Sequence, residues 1–106
     1  MQASANYSNK GDTNMLAYYP IGTVVTLSKD DKKNLFMVIG LSVEDDKGNK
    51  KDYVAVKYPT GAINTNVFFT FNHNDISEVV HLGYKNEDFA AYVALINQIV
   101  DKEKDN

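Results

Sequence analysis

Residues 35–43, with the sequence LFMVIGLSV, give the strongest strand signal in the chain and decide its fold class. Strand alternation places Leu35, Met37, Ile39, Leu41 and Val43 on one face and Phe36, Val38, Gly40 and Ser42 on the other. Because both faces carry apolar residues, we expect the second face to be partly covered, as in a small barrel or beneath a helix. A glycine in the middle of this strand predicts a bend, a bulge or a close backbone approach.

Four further short strands are predicted around this one, each bounded by turn residues. They cover residues 23–27, 53–58, 67–71 and 76–82. In the last strand, alternation places two groups of residues on opposite faces: Ile76, Glu78, Val80 and Leu82 on one, and Ser77, Val79 and His81 on the other. Before it, residues 72–75 (NHND) predict a turn or one tight helical turn capped by Asn74 or Asp75.

The C-terminal segment changes to a helical period. Its apolar stripe consists of Phe89, Tyr92, Val93, Ile96, Ile99 and Val100. Asn86 is the candidate N-cap of a helix over about residues 86–104, and we expect the stripe to cover the sheet. The predicted fold is therefore α+β, mainly antiparallel β: a small SH3-like, partly open barrel of about five strands, closed at one end by a C-terminal amphipathic α-helix. The alternative is an open meander with the helix packed across one face.

The composition is that of one globular domain. Of 106 residues, 43% are hydrophobic, 24% are charged and 8 are glycine or proline, which excludes collagen-like and fully disordered chains. Residues 1–15 are predicted to be a flexible tail because they are mostly polar and aperiodic. A single domain is predicted over residues 16–106.

Charge and cysteine content restrict the partners and the compartment. The net charge is −3, and all eleven basic residues are lysine, so nucleic acid is not an expected partner. The chain has no cysteine, which excludes disulfides and fits a reducing cytoplasm. No apolar run approaches the roughly 18–20 residues needed to span a bilayer, and the N-terminus has no apolar signal region. We therefore expect a cytoplasmic protein without membrane insertion.

The polar residues do not form a catalytic pattern. His73 lies two positions from Asp75 and could act as a base or a metal ligand, but a histidine that supports its own turn is the stronger interpretation. Two histidines without a third ligand are too few for a zinc site. Lysines interrupt the carboxylates Glu44, Asp45, Asp46 and Asp52, which favours a solvated loop over a calcium site. We expect no enzyme activity, no catalytic residue, no metal and no cofactor.

The aromatic residues are more informative. Most of the rings on the predicted strands should be core, but some can form an exposed binding patch. The candidate partner-binding residues are Tyr58, Pro59, Phe68, Tyr18 and Tyr19. Tyr58 ends its strand beside a proline turn, and alternation sets Phe68 on the face opposite Phe69 and Phe71. A second candidate surface is the small-residue side of the helix, formed by Ala90, Ala91, Ala94 and Leu95.

Four stretches together resemble a known family: YPIGTVVTL, LFMVIGLSV, DYVAVKYPTG and FFTFNHNDISEVVHLGY. In this order they are similar to the bacterial domain of unknown function 4176, over residues 20 to about 84. The matched positions are Pro20, Gly22, Gly40, Tyr53, Tyr58, Pro59, Gly61, Phe71, His73, Asp75, Ile76 and Tyr84. The resemblance implies a small protein of Gram-positive bacteria, often encoded beside type VII secretion toxins that carry an LXG export domain. It implies no catalytic residue.

The resulting functional hypothesis is a non-enzymatic cytoplasmic adaptor or chaperone for a secreted toxin of this type. The alternative is an immunity protein that binds the toxin domain. The suspected partner is therefore the toxin or its export domain, and the oligomeric state is open. A nucleic-acid-binding SH3-like module is disfavoured because arginine is absent.

Overall fold

The computed structural model describes residues 16–105 of the chain, with side chains through residue 99. These residues form two compact units. One contains residues 19–84, and the other contains residues 16–18 together with 85–105. The predicted tail over residues 1–15 lies outside the described residues, and the prediction of a single domain over 16–106 stays a prediction.

The first unit is a five-stranded antiparallel sheet. Its strands are β1 (Val24–Leu27), β2 (Leu35–Glu44), β3 (Lys50–Tyr58), β4 (Phe69–Phe71) and β5 (Ile76–His81). Their order in the sheet is β4-β3-β2-β1-β5, and the sheet does not close. Together with one C-terminal helix, this confirms the predicted α+β, mainly antiparallel class and is consistent with a small SH3-like fold.

One face of the sheet holds the aromatic core. Tyr53 and Ala55 on β3 are fully buried, and Phe36 and Phe71 expose 5% and 3% of their surfaces. The register pairs Tyr53 with Phe71 and Ala55 with Phe69, so Phe69 and Phe71 share a face, as alternation predicts. Phe36 meets Phe69 edge to face at 5.3 Å between ring centroids, a favourable geometry for aromatic pairs.

A bulge in β2 changes which residues face this core. Val38 pairs with Ala55, but the next pair joins Gly40 to Val54, so Ile39 has no opposite residue. Leu41 therefore shares the buried face with Val38 and exposes only 5% of its surface. The prediction of strict alternation through residues 35–43 was wrong beyond Val38, because an extra residue in one strand turns the residue that follows it to the other face. The prediction of a local irregularity at Gly40 is confirmed.

Two bulges interrupt β5 as well. Its pairing with β1 skips Ser77 and Val80, so Ile76 and Val79 lie opposite Leu27 and Val25. The strict alternation predicted for residues 76–82 was therefore wrong, for the same physical reason. The preceding turn is a 3-10 helix over His73–Asp75, and its N-cap is Asn72 rather than Asn74 or Asp75. The Asp75 carboxylate accepts the Asn72 N–H at 2.8 Å.

The second unit contains α1 (Glu87–Asp105). The Asn86 side chain accepts the Phe89 N–H at 3.0 Å, which confirms the predicted N-cap. Ile96 exposes only 6% of its surface, whereas Tyr92, Leu95 and Ile99 each expose about half. Packing of this stripe on the sheet stays a prediction. Among the described residues, no helix has both the length and the apolar character needed to cross a bilayer.

Candidate functional site

The sheet face opposite the aromatic core carries two exposed rings, Tyr58 and Phe68. They expose 53% and 47% of their surfaces. Tyr58 shares its face of β3 with Val54 and Val56, because alternate residues of a strand point to the same side. Thr70 pairs with Val54, and Phe68 precedes Thr70 by two residues. Phe68 lies just outside β4, which begins at Phe69, although the prediction placed both in one strand.

A first concavity, the Tyr58 groove, lies at the end of β3. It encloses about 450 Å³. Its lining is formed by Val24, Leu35, Met37, Tyr58, Val80 and His81. The groove is therefore almost entirely apolar, and Tyr58 supplies its largest exposed ring.

A second concavity, the Phe68 groove, lies beside the β2–β3 turn and encloses about 610 Å³. Its floor is formed by Val43, Val54, Phe68 and Thr70. The polar part of the lining consists of three carboxylates, here called the acidic rim, and two uncharged side chains: Glu44, Asp45 and Asp46, and Thr65 and Asn66. An apolar floor with charges of one sign at the edge is suited to binding a side chain that is itself flanked by the opposite charge.

Asp45 fixes the shape of the acidic rim. Its carboxylate accepts the N–H groups of Lys47 at 2.9 Å and of Asn49 at 2.8 Å, and its own N–H donates to the Asn49 carbonyl at 2.9 Å. Chiefly because of the bond from the Asn49 N–H, the pKa of Asp45 lies below its ordinary value. The carboxylate that organises the rim therefore remains ionised well into the acidic range.

His73 belongs to a different cluster, on the side of the aromatic core. Its Nδ1 lies 2.8 Å from the Tyr53 hydroxyl, and its ring stacks on Tyr19 with 4.8 Å between centroids. Its main-chain N–H donates to the Asp52 carboxylate at 2.8 Å. Burial holds the pKa of His73 below its usual value, although Asp52 partly opposes this effect. These contacts support a structural role for His73 in the turn, with Asp52 and Tyr53 as its partners.

A metal-binding arrangement is not present in the part of the chain that the structure describes, where no three histidine, cysteine or carboxylate side chains gather as a cation would require. His81 lies in the lining of the Tyr58 groove, apart from the His73 cluster.

The three remaining candidate residues, Pro59, Tyr19 and Tyr18, differ in how much of their surface is exposed. Pro59 is exposed in the turn after β3. Tyr19 is partly buried, and its main-chain N–H donates to the Tyr53 hydroxyl at 2.9 Å. Tyr18 exposes only 8% of its surface, which leaves little of it for a partner. A binding role for these three residues stays a prediction.

Sequence reasoning missed the residues that make the Phe68 groove concave. The acidic turn was interpreted as a solvated loop, and Val54 and Thr70 were treated as ordinary strand positions. The one usable signal was the length of the β2–β3 connection, which carries carboxylates directly after a long apolar strand. The presence of Thr65 and Asn66 in the same lining as that turn follows from the fold alone.

Comparison with known proteins gives one match. The family described as Domain of unknown function (DUF4176) matches residues 18–91. This range includes the whole sheet and the first part of α1. Neither the curated proteins nor the solved structures give a significant match to the chain.

Proposed function

The chain belongs to the DUF4176 family, and from this premise we propose that it is a non-enzymatic cytoplasmic adaptor or chaperone for an LXG-type toxin of the type VII secretion system. The proposed contact surface is the sheet face that carries Tyr58 and Phe68. The choice of partner rests on the gene neighbourhood beside such toxins that the resemblance described above implies. The chemistry of the exposed face supports binding rather than catalysis.

One observation carries the proposal: Tyr58 and Phe68 stay about half exposed beside grooves on one face of the sheet, whereas on the other face Phe36, Tyr53 and Phe71 are buried and Phe69 is 38% exposed. Aromatic side chains in such positions dominate binding energies at protein interfaces, because they bury large areas with few rotatable bonds. By contrast, the ring of Phe69 already has contact partners within the chain. It packs against Phe36, and the Lys57 ammonium lies 5.9 Å from its centroid.

The sheet edges are less suited to binding than the face. Strand β4 has only three residues, and the two bulges of β5 break the regular row of main-chain groups that an added strand would need. Short and bulged edge strands are the usual means by which proteins prevent edge-to-edge pairing. A partner is therefore expected to contact side chains of the face.

An immunity protein is the second candidate, and the acidic rim of the Phe68 groove favours it. A rim of carboxylates complements a basic toxin domain such as a nuclease, as opposite charges do at many protein interfaces. The two functions differ in the part of the toxin that is bound. An adaptor or chaperone holds the export domain, whereas an immunity protein holds the toxic domain.

The test is binding of the purified chain to the separate export and toxic domains of the toxin encoded beside it, measured by calorimetry. We expect binding to the export domain, and we expect Tyr58→Ala and Phe68→Ala to weaken it by roughly 1–4 kcal/mol each. Their melting temperatures should stay close to that of the parent chain, because both rings are half exposed.

Tyr92→Ala is the matched control, since Tyr92 exposes 49% of its surface on α1. Binding to the toxic domain alone would establish the immunity function instead. If neither domain binds, or if both variants unfold, the proposed contact surface is wrong.

A further inference from the structure

We propose that the Phe68 groove binds a peptide segment of the partner in which an aliphatic or aromatic side chain is flanked by lysine or arginine. The inference rests on the proposed protein-binding function and specifies the chemistry of the bound segment. It applies equally to an adaptor and to an immunity protein, because it concerns the groove and not the identity of the toxin domain.

The floor of the groove selects an apolar side chain. Val43 and Val54 are partly exposed there, and Phe68 exposes 47% of its surface. These three side chains leave apolar area in water that an inserted side chain would cover, and burial of such area favours association. The volume of about 610 Å³ accommodates at least one large side chain and its neighbours.

The rim selects positive charge on either side of that apolar side chain. Glu44, Asp45 and Asp46 line the groove, and none of the described residues that line it is a lysine. The β2–β3 turn and the start of β3 also carry three lysines, Lys47, Lys50 and Lys51. The Lys50 ammonium is 3.9 Å from a Glu44 carboxylate oxygen, in a pair whose side chains both remain about 60% exposed, and the charge of Lys51 contributes to the lowered pKa of Asp45. Exposed pairs of this kind are weak, and of the described residues that line the groove the only charged ones are the three carboxylates.

The rim also has a fixed shape before any partner arrives. The bonds of Asp45 to Lys47 and Asn49 close the turn, and the Gly48 N–H donates to the Asp45 carbonyl at 3.0 Å. Gly48 supplies the positive φ of +83° that this turn requires. Because the Asp45 carboxylate and the main chain of the turn are held in place, binding requires little further ordering of the turn.

Charge disfavours the other occupants of this groove. Nucleic acid and acidic peptides would be repelled by the rim. A second copy of the chain, joined through the same groove by two-fold symmetry, would bring both acidic rims to one interface, because such interfaces use the same patch twice. Like charges at an interface oppose association.

The experiment uses fluorescein-labelled peptides and the full chain, with fluorescence anisotropy as the readout. The first peptide places leucine and phenylalanine between lysines and arginines. In the second, glutamates replace the basic residues, and in the third, serines replace the leucine and phenylalanine. Only the first peptide should bind, and its affinity should fall as the salt concentration rises, because the attraction to the rim is screened.

Three variants locate the site. Phe68→Ala should weaken binding of the first peptide about tenfold. The double variant Glu44→Gln with Asp46→Asn should weaken it about threefold or more at low salt. The matched control removes two exposed carboxylates elsewhere, with Asp31→Asn and Glu78→Gln, and should change the affinity by less than about twofold.

The proposal is wrong if the serine peptide binds as tightly as the first one, since binding would then be unspecific attraction between charges. It is also wrong if no peptide binds, or if the chain forms a dimer that Phe68→Ala dissociates. The proposed function and the proposed basic segment can fail independently of each other. If toxin binding depends on Phe68 but not on the charges of Glu44 and Asp46, the function stands and the basic segment does not.

Discussion

The Tyr53 hydroxyl connects three parts of the chain through one oxygen atom. It accepts the Tyr19 N–H at 2.9 Å and lies 2.8 Å from His73 Nδ1. A hydroxyl has one proton and two lone pairs, so it can accept the Tyr19 N–H and also form the bond with His73 Nδ1, as donor or as acceptor according to the tautomer of the imidazole. Burial of the ring, which lowers the pKa of His73, favours its neutral form.

The first prediction is that Tyr53→Phe destabilises the fold. The change keeps the buried ring but leaves the Tyr19 N–H and His73 Nδ1 without this partner, at an expected cost of about 1–3 kcal/mol. Tyr58→Phe is the matched control, because Tyr58 is 53% exposed, and it should stay within about 0.5 kcal/mol of the parent. Urea denaturation measures both. Equal stability of the two variants would show that the hydroxyl bonds contribute nothing.

The second prediction concerns pH. Burial lowers the pKa of His73 in the folded chain, so the unfolded chain binds a proton more readily. Stability is then complete above the unfolded value of about 6.5 and decreases as pH falls from there toward the folded pKa. His73→Gln should flatten this decrease between about pH 7.5 and 5.5. Urea midpoints across this range measure it, and an unchanged slope in His73→Gln would contradict it.

At the scale of single residues, the local sequence favoured a structural role for His73 in its turn, but it did not identify Tyr53 as the partner. Tyr53 precedes His73 by 20 residues, and no spacing rule connects them. The two residues meet because β3 and β4 pair, with Tyr53 opposite Phe71. The exposure of Tyr58 was predictable from the proline turn that follows it, since such a turn ends the strand locally.

At the scale of elements, Gly40 allows β2 and β3 to approach each other at the bulge. A Cβ at this position would lie 2.6 Å from Val54 Cγ1. Gly40→Ala should therefore destabilise the fold by about 1–3 kcal/mol, as overpacking does. Because the opposing atom belongs to a side chain, the double variant Gly40→Ala with Val54→Ala should lose less stability than the sum of the two single variants.

Gly83→Ala is the informative contrast. A Cβ there would meet main-chain atoms, including the Ile21 carbonyl oxygen and the Thr23 nitrogen at 2.8 Å. No side chain can be trimmed to relieve that contact, so we expect a larger loss of stability than for Gly40→Ala. For the bulge at Gly40, additive losses of stability in the double variant Gly40→Ala with Val54→Ala would contradict the clash proposed between these two residues.

The strands were predictable because turn residues separate them, and each predicted boundary lies within about three residues of the observed one. The bulges were not, because alternation assumes a constant register. Only the pairing partner reveals that β2 inserts Ile39 and that β5 inserts Ser77 and Val80. These insertions decide which side chains reach the core and which remain for a partner.

At the scale of the whole molecule, the grooves depend on segments that are far apart in sequence. The Phe68 groove needs the turn after β2 and residues 65–66 before β4. Composition and periodicity predicted that some aromatic rings would be exposed, and Phe68 was among those named. They carried no information about the concave surface, because its shape is set by how the connections cross the sheet face.

The last prediction concerns Asn97, which joins the helix to a residue far away in the chain. Its side chain accepts the Leu16 N–H at 3.2 Å and donates to the Leu16 carbonyl at 3.3 Å, across 81 positions. Asn97 exposes only 8% of its surface, so loss of both bonds in Asn97→Ala should cost about 1–3 kcal/mol. Asn97→Asp should not restore this stability, because a carboxylate cannot donate to the carbonyl. The exposed neighbour provides the control Gln98→Ala, which should leave the urea midpoint nearly unchanged. Faster exchange of the Leu16 amide proton in Asn97→Ala, but not in Gln98→Ala, would connect the loss to this contact, and equal exchange in the two variants would refute it.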